Sequence, residues 1–299
     1  MKTTLSALLA SGQPVVADGA MGSILMAAGL EAGRSPELWN VEQPETIAQV
    51  HRGYIQAGSQ IILTNSFGGS RTSQDRHDQG ERVGELNRAA ARIARAEADA
   101  AAHPVAVGGS MGPTSEMMVP FGTLTVEEAT AVFAEQAAAL AEGGVDIFWI
   151  ETMYALDEML AAVAGCRQAA PNMPITATMS YDRKGRTMMG VRPEEAMTAL
   201  RDLGVAAIGA NCGNGPDEII EVISKMHAFD PRVSLIAKAN AGMPQYRDGR
   251  TVYDATPAEM AAYATAVRQN GAQIIGACCG STAVHIAAIA QTLHPPLEV

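Results

Sequence analysis

The sequence predicts an α/β fold, a single (β/α)8 barrel, on three observations. Short apolar runs alternate with longer segments of helical periodicity. The alternation repeats eight times, which favours a closed barrel over an open doubly wound sheet. Several of the segments that follow the apolar runs are long and rich in Gly, Pro, Asn and Ser, as loops at a barrel mouth are.

The predicted strands cover 14–17, 60–64, 105–108, 146–150, 175–179, 206–210, 234–239 and 273–276. They are largely apolar, the pattern of parallel strands covered on both faces. Helices are expected near 43–57, 84–102, 125–143, 156–169, 193–203, 216–227, 257–270 and 282–293. Their starts agree with this. Pro44 suits a first helical turn, with Asn40 and Glu42 just ahead of it. Thr125 precedes Glu127 and Glu128, acids placed where a helix N-terminus favours them. The long segments follow strands 1, 2, 3, 5 and 7, among them 108–120, 181–191 and 240–253. No linker, low-complexity tract or second domain is visible, so one domain is expected over 1–299.

Composition sets outer bounds. A chain of 299 residues that is 47% hydrophobic can bury a large core without disulfides. Aromatics at 4% and 29 glycines fit an aliphatic interior with tight loops, and not a β-sandwich. A formal charge of −11 repels phosphate backbones, so nucleic acid is not an expected partner. No run of about 18 apolar residues exists to span a membrane. The apolar stretch at 5–10 is too short for a secretory leader. Four cysteines do not make a disulfide scaffold, and a reducing cytoplasm is the expected location.

Those cysteines carry the chemistry. Cys212 lies in GANCGNG at 209–215, and Cys278 and Cys279 lie in GACCGS at 276–281. These segments follow predicted strands 6 and 8, whose ends lie one strand apart. The flanking glycines let the backbone bend there. Three thiols can therefore converge at the mouth. Three thiolates with one open position form the ligand set of a catalytic zinc. The open position suits a substrate thiol, which a metal would ionise. The plainer alternatives are packing as small hydrophobes or a vicinal disulfide, and the residues alone leave both open. Cys166, inside a helical run, reads as packing. None of the six histidines falls at a strand end, so none is expected as a ligand.

Six stretches carry a resemblance: ADGAMGSIL at 17–25, TNSFGGS at 64–70, GGSMGP at 108–113, IET at 150–152, GANCG at 209–213 and GACCGS at 276–281. In that order they resemble the homocysteine S-methyltransferase family along almost the whole chain. PELWN at 36–40, TNSFGGSR at 64–71 and GRTMMG at 185–190 are most similar to the short bacterial betaine–homocysteine S-methyltransferases.

The resemblance implies a barrel with one Zn2+ per chain on Cys212, Cys278 and Cys279. It implies homocysteine bound through sulfur at the metal, with its other groups at Asp18, Gly19, Ala20 and Glu151. Those residue types suit the task. The carboxylates can accept an ammonium. The backbone N–H groups of Gly19 and Ala20, beside a helix expected over 21–28, can donate to a carboxylate. Asn211 is expected to orient the site or touch the metal. Trp39 and Phe67 resemble donor-site positions, where aromatic faces hold an onium group. Tyr181 and Tyr246 are weaker candidates. The implied reaction makes methionine from homocysteine and a small onium donor, glycine betaine first. S-methylmethionine, dimethylsulfoniopropionate or a separate methyl-corrinoid protein are alternative donors. A non-catalytic zinc- and thiol-binding barrel is the alternative outside enzymes. The folate and cobalamin domains of the larger methionine synthases are not expected within 299 residues. Assembly into a homo-oligomer does not follow from the sequence either way.

Overall fold

The computed structural model describes residues 3–247 and 250–295. Eight parallel strands form the barrel wall: β1 (Val15–Val16), β2 (Ile61–Leu63), β3 (Ala106–Met111), β4 (Ile147–Met153), β5 (Ile175–Met179), β6 (Ala207–Cys212), β7 (Leu235–Ala239) and β8 (Ala272–Ala277). The wall runs from β2 through β3, β4, β5, β6, β7 and β8 to β1. A parallel bridge between Ala17 and Ile61 draws its two ends together. The Gln60 side chain assists there, its Oε1 accepting the Val16 backbone N–H at 3.2 Å.

The helices that follow the strands are Pro44–Gln56, Val83–Ala100, Val126–Gly143, Leu156–Ala169, Pro193–Asp202, Pro216–Phe229, Pro257–Gln269 and Ala283–Leu293. Proline begins four of them, where its missing N–H costs nothing. Thr125 caps a further start through reciprocal bonds with Glu128, and Thr256 caps the Pro257 helix in the same way with Glu259.

Every predicted strand and helix is present. β3 and β4 run three residues beyond their predicted ends, because Gly109–Met111 and Glu151–Met153 are extended and buried. Glu151 therefore stands on the wall and not on a loop. Asn40 is not a helix-start residue. It lies in the short helix Trp39–Glu42, buried, and donates to the carbonyls of Asn65 and Leu86.

Two apolar layers hold the barrel. Between wall and helices pack residues such as Val107, Phe133, Phe148, Met159 and Ile223, all within 1% of full burial. Each large one contributes about 2 kcal/mol by leaving water. Inside the wall, Val15, Ile61, Ile147, Trp149, Ile236 and Ile274 meet Leu5 and Leu8 of an N-terminal helix, Leu5–Ala10. That helix fills the lower end of the barrel, where the strands begin. The upper end carries the long loops, including an antiparallel hairpin of Gln245–Arg247 with Arg250–Val252. Among the described residues no helix is long and apolar enough to cross a membrane.

Candidate metal and thiol site

The ends of β6 and β8 flank the end of β7. That spacing delivers Cys212 from one side and Cys278 and Cys279 from the other. Their three sulfur atoms lie within 4.8 Å of one another. All three thiols are free, partly exposed, and line one wall of a cavity of about 1630 Å3.

The backbone is bent to achieve this. Cys212 itself has φ +59° and Gly213 φ +69°, both left-handed. A non-glycine residue there costs on the order of 1–3 kcal/mol, held by its surroundings. Thr152, with φ +63°, is a second such residue. Asn211 braces both. Its Oδ1 accepts the Thr152 N–H at 2.9 Å and the Thr178 hydroxyl at 2.7 Å. Its Nδ2 donates to Thr152 Oγ1 at 2.7 Å and faces Cys212 Sγ at 3.6 Å and Cys278 Sγ at 3.9 Å. Asn211 thus ties the ends of β4, β5 and β6 together, with its amide nitrogen toward the sulfurs.

Asn240, which sequence reading did not single out, joins the two cysteine loops. Its Oδ1 accepts the Cys279 N–H at 3.0 Å and its Nδ2 donates to the Gly213 carbonyl at 2.7 Å. Gly280 is left-handed at φ +79° and lies against the Tyr253 ring, where a Cβ would collide. Tyr253 lines the cavity beside the cysteines, helps to hold the Cys279 thiol down, and is another residue found only in the structure.

Three thiols this close cannot all ionise unaided. Hydrogen bonds from Cys212 and Cys278 hold Cys279 down to about 3. Bonds to its two neighbours, and burial, push Cys278 well up. Cys212 is pulled down by Cys278, but its bond to Cys279 and its burial outweigh that and leave it raised. A divalent cation between the sulfurs is what allows all three to be thiolates. Three sulfur donors facing a cavity match zinc in softness and number, so the residues fit the ion.

The cavity floor is charged. Asp18 is 2% exposed, with Oδ1 accepting from Lys238 Nζ at 2.7 Å and Oδ2 from the Leu63 N–H at 2.7 Å. Glu151 is 7% exposed, and its Oε1 accepts the Ser110 hydroxyl at 2.6 Å. Burial pushes both carboxyls up, and Lys238 pulls both back. Burial pulls Lys238 down, but Asp18 and Glu151 outweigh it and hold the ammonium above its usual value. Its Nζ also lies 5.6 Å from the centre of the Trp149 ring. Lys238 was missed in the sequence, although a lysine inside an apolar strand is itself a signal.

The remaining candidates separate. Ala20 spends its N–H on Ser281 Oγ at 3.0 Å, whereas Gly19 N–H has no partner among the described residues. The helix beside them is short, Gly22–Ala27. Phe67 lines the cavity and is 45% exposed. Trp39 instead packs with Leu25, Leu30 and Ile47 in a small apolar cluster, off the cavity lining. Tyr154, Tyr181, Tyr246 and Tyr253 do line it.

The mouth of the barrel thus joins three cysteine sulfurs that could hold a metal ion to a charged floor. The chain belongs to the homocysteine S-methyltransferase family, whose sequence model matches residues 15–293. It is similar to the methionine synthase of Mycobacterium tuberculosis, 32% identical over 97% of this chain and 26% of that protein. The methionine synthase of Mycobacterium leprae is 31% identical over 93% of this chain and 24% of that protein. The chain thus spans about a quarter of the length of these curated relatives. Among solved structures, the oxidised form of the homocysteine methyltransferase MmuM from Escherichia coli superposes with a TM-score of 0.80 at 25% identity. That match covers 95% of this chain and 98% of MmuM. The metallated form of MmuM shares the fold, with a TM-score of 0.81 at 23% identity over 96% and 98%.

Proposed function

We propose that this chain transfers a methyl group to the thiol of homocysteine, giving methionine, with zinc held by Cys212, Cys278 and Cys279. The observation that carries this reading is the convergence of the three sulfurs beside a buried carboxylate with room for an ammonium. A zinc ion there would supply a positive centre that keeps the substrate thiol ionised at neutral pH.

The chain's own residues do the rest. Glu151 receives the substrate ammonium, and the Gly19 N–H is the open backbone donor for its carboxylate. Asn211 and Asn240 fix the cysteine loops. Tyr154, Tyr181 and Tyr253 border the space above the sulfurs, and they exclude water and offer aromatic faces to a cation. The thiolate sulfur attacks the methyl carbon as the bond from that carbon to the donor nitrogen or sulfur breaks, and the bonding pair stays on that atom, which becomes neutral. Holding the two in line can supply several kcal/mol of the barrier.

For the donor we propose a small onium compound, glycine betaine first. The lining supports a cation, through the carboxylates of Glu37 and Asp182 with the tyrosines. The alternative donor is a separate methyl-corrinoid protein. We place the enzyme in a reducing cytoplasm, where the thiols stay available.

The test is methionine formation by zinc-loaded, reduced protein with homocysteine and betaine, S-methylmethionine, dimethylsulfoniopropionate or methylcobalamin. Methionine from one small donor supports the onium reading. Methionine from methylcobalamin alone favours the second reading. No methionine from any of them overturns the onium reading.

A further inference from the structure

The cavity floor holds two carboxylates and one ammonium, and their partners are unequal. Both Asp18 oxygens are engaged, one by Lys238 and one by the Leu63 N–H. Glu151 spends Oε1 on Ser110, while Oε2 has no partner among the described residues and faces the cavity. Lys238 is 2% exposed on an otherwise apolar strand, between Ala237 and Ala239. A buried ion pair is expensive to desolvate, and a well-packed apolar residue often serves stability as well. Something other than stability keeps this one.

We propose that Lys238 is a positioning residue that takes Asp18 out of competition for the substrate ammonium, leaving Glu151 as its one acceptor. This rests on the homocysteine reading above. Two free carboxylates would offer the ammonium two places, and the thiol at the other end of the substrate would follow it. With Asp18 neutralised the floor keeps a net charge of −1 on Glu151, matched to a single ammonium. Lys238 acts through Asp18 and does not touch the substrate.

The experiment is calorimetric titration of the zinc-loaded full chain with two thiols. One is homocysteine. The other is 4-mercaptobutanoate, the same molecule without its amino group. Their ratio of Kd values reads ammonium recognition alone and needs no methyl donor. The parent should prefer homocysteine by about tenfold or more. Asp18→Asn should erase most of that preference, because Lys238 then turns its charge on Glu151. Lys238→Met should keep or enlarge it, because a second carboxylate is released. The double variant Asp18→Asn/Lys238→Met should return near the parent ratio, since Glu151 again stands as the one acceptor.

The double variant also guards against misfolding, because the ion pair is removed as a unit and neither Asp18 nor Lys238 is left as an unpaired buried charge. Equal weakening of both thiols in Lys238→Met or in the double variant would mean that Lys238 holds the substrate carboxylate, and would overturn the proposal. An unchanged ratio in Asp18→Asn would overturn it too. A parent that binds both thiols alike, or neither, would instead count against the homocysteine reading itself.

Discussion

Asn240 Oδ1 accepts the backbone N–H of Cys279 at 3.0 Å, while the same side chain holds the Gly213 carbonyl at 2.7 Å. One amide on β7's exit thus ties together the loops that bear all three sulfurs. Residues that orient metal ligands typically cost ten- to a hundredfold in metal affinity when lost. Asn240→Ala should therefore weaken zinc binding by that order without unfolding the barrel. Competition with a chromogenic chelator reads it, and an unchanged affinity would remove Asn240 from the site.

Glu151→Gln keeps the shape and the Ser110 contact but gives up the charge. Homocysteine affinity should fall by on the order of tenfold, the worth of one charge-assisted hydrogen bond. Zinc content should stay at the parent value. Calorimetry with parallel metal analysis separates the two.

Removal of zinc should abolish methionine formation, and its return should restore it. Cys279→Ala deletes one of three sulfurs and should lose both tight zinc binding and turnover. Full activity after verified metal removal would sink the proposed mechanism.

His51 gives a pH dependence unrelated to the chemistry. It is fully buried, neither ring nitrogen has a partner among the described residues, and burial lowers it to about 4. The unfolded chain binds its proton near pH 6.5, the folded chain only near pH 4. Between those values the unfolded state holds more protons, so stability rises with pH. The contribution is fully present above pH 6.5 and is lost as pH falls toward 4, an effect on the order of 3 kcal/mol. Denaturant titrations of the parent and His51→Leu across this window should differ in slope, the variant being flatter.

The barrel was legible because its strands are largely apolar on both faces and most of its helices open on proline or a threonine cap. Those are local signals, and Ile175–Met179 follows from them residue for residue. The three cysteines were legible because Gly-rich turns follow their strands. What escaped depends on which way a side chain points. Trp39 and Phe67 both sit in mouth loops, yet one packs inward and the other lines the cavity. Lys238 was hidden by the apolar run around it, and Ala20 by a hydroxyl 261 residues away. Asn40 read as a helix start because Pro44 follows it, but its amide serves two distant carbonyls.

The N-terminal helix has a kinetic consequence. With Leu5 and Leu8 filling the lower end, reactants and products share the upper mouth. In the proposed reaction homocysteine occupies the bottom of that well and the methyl donor lies above it. A donor that arrives first bars the way, and methionine leaves only after the spent donor has gone. Addition should accordingly be ordered, with the amino acid first in and last out, and excess donor should inhibit at low homocysteine.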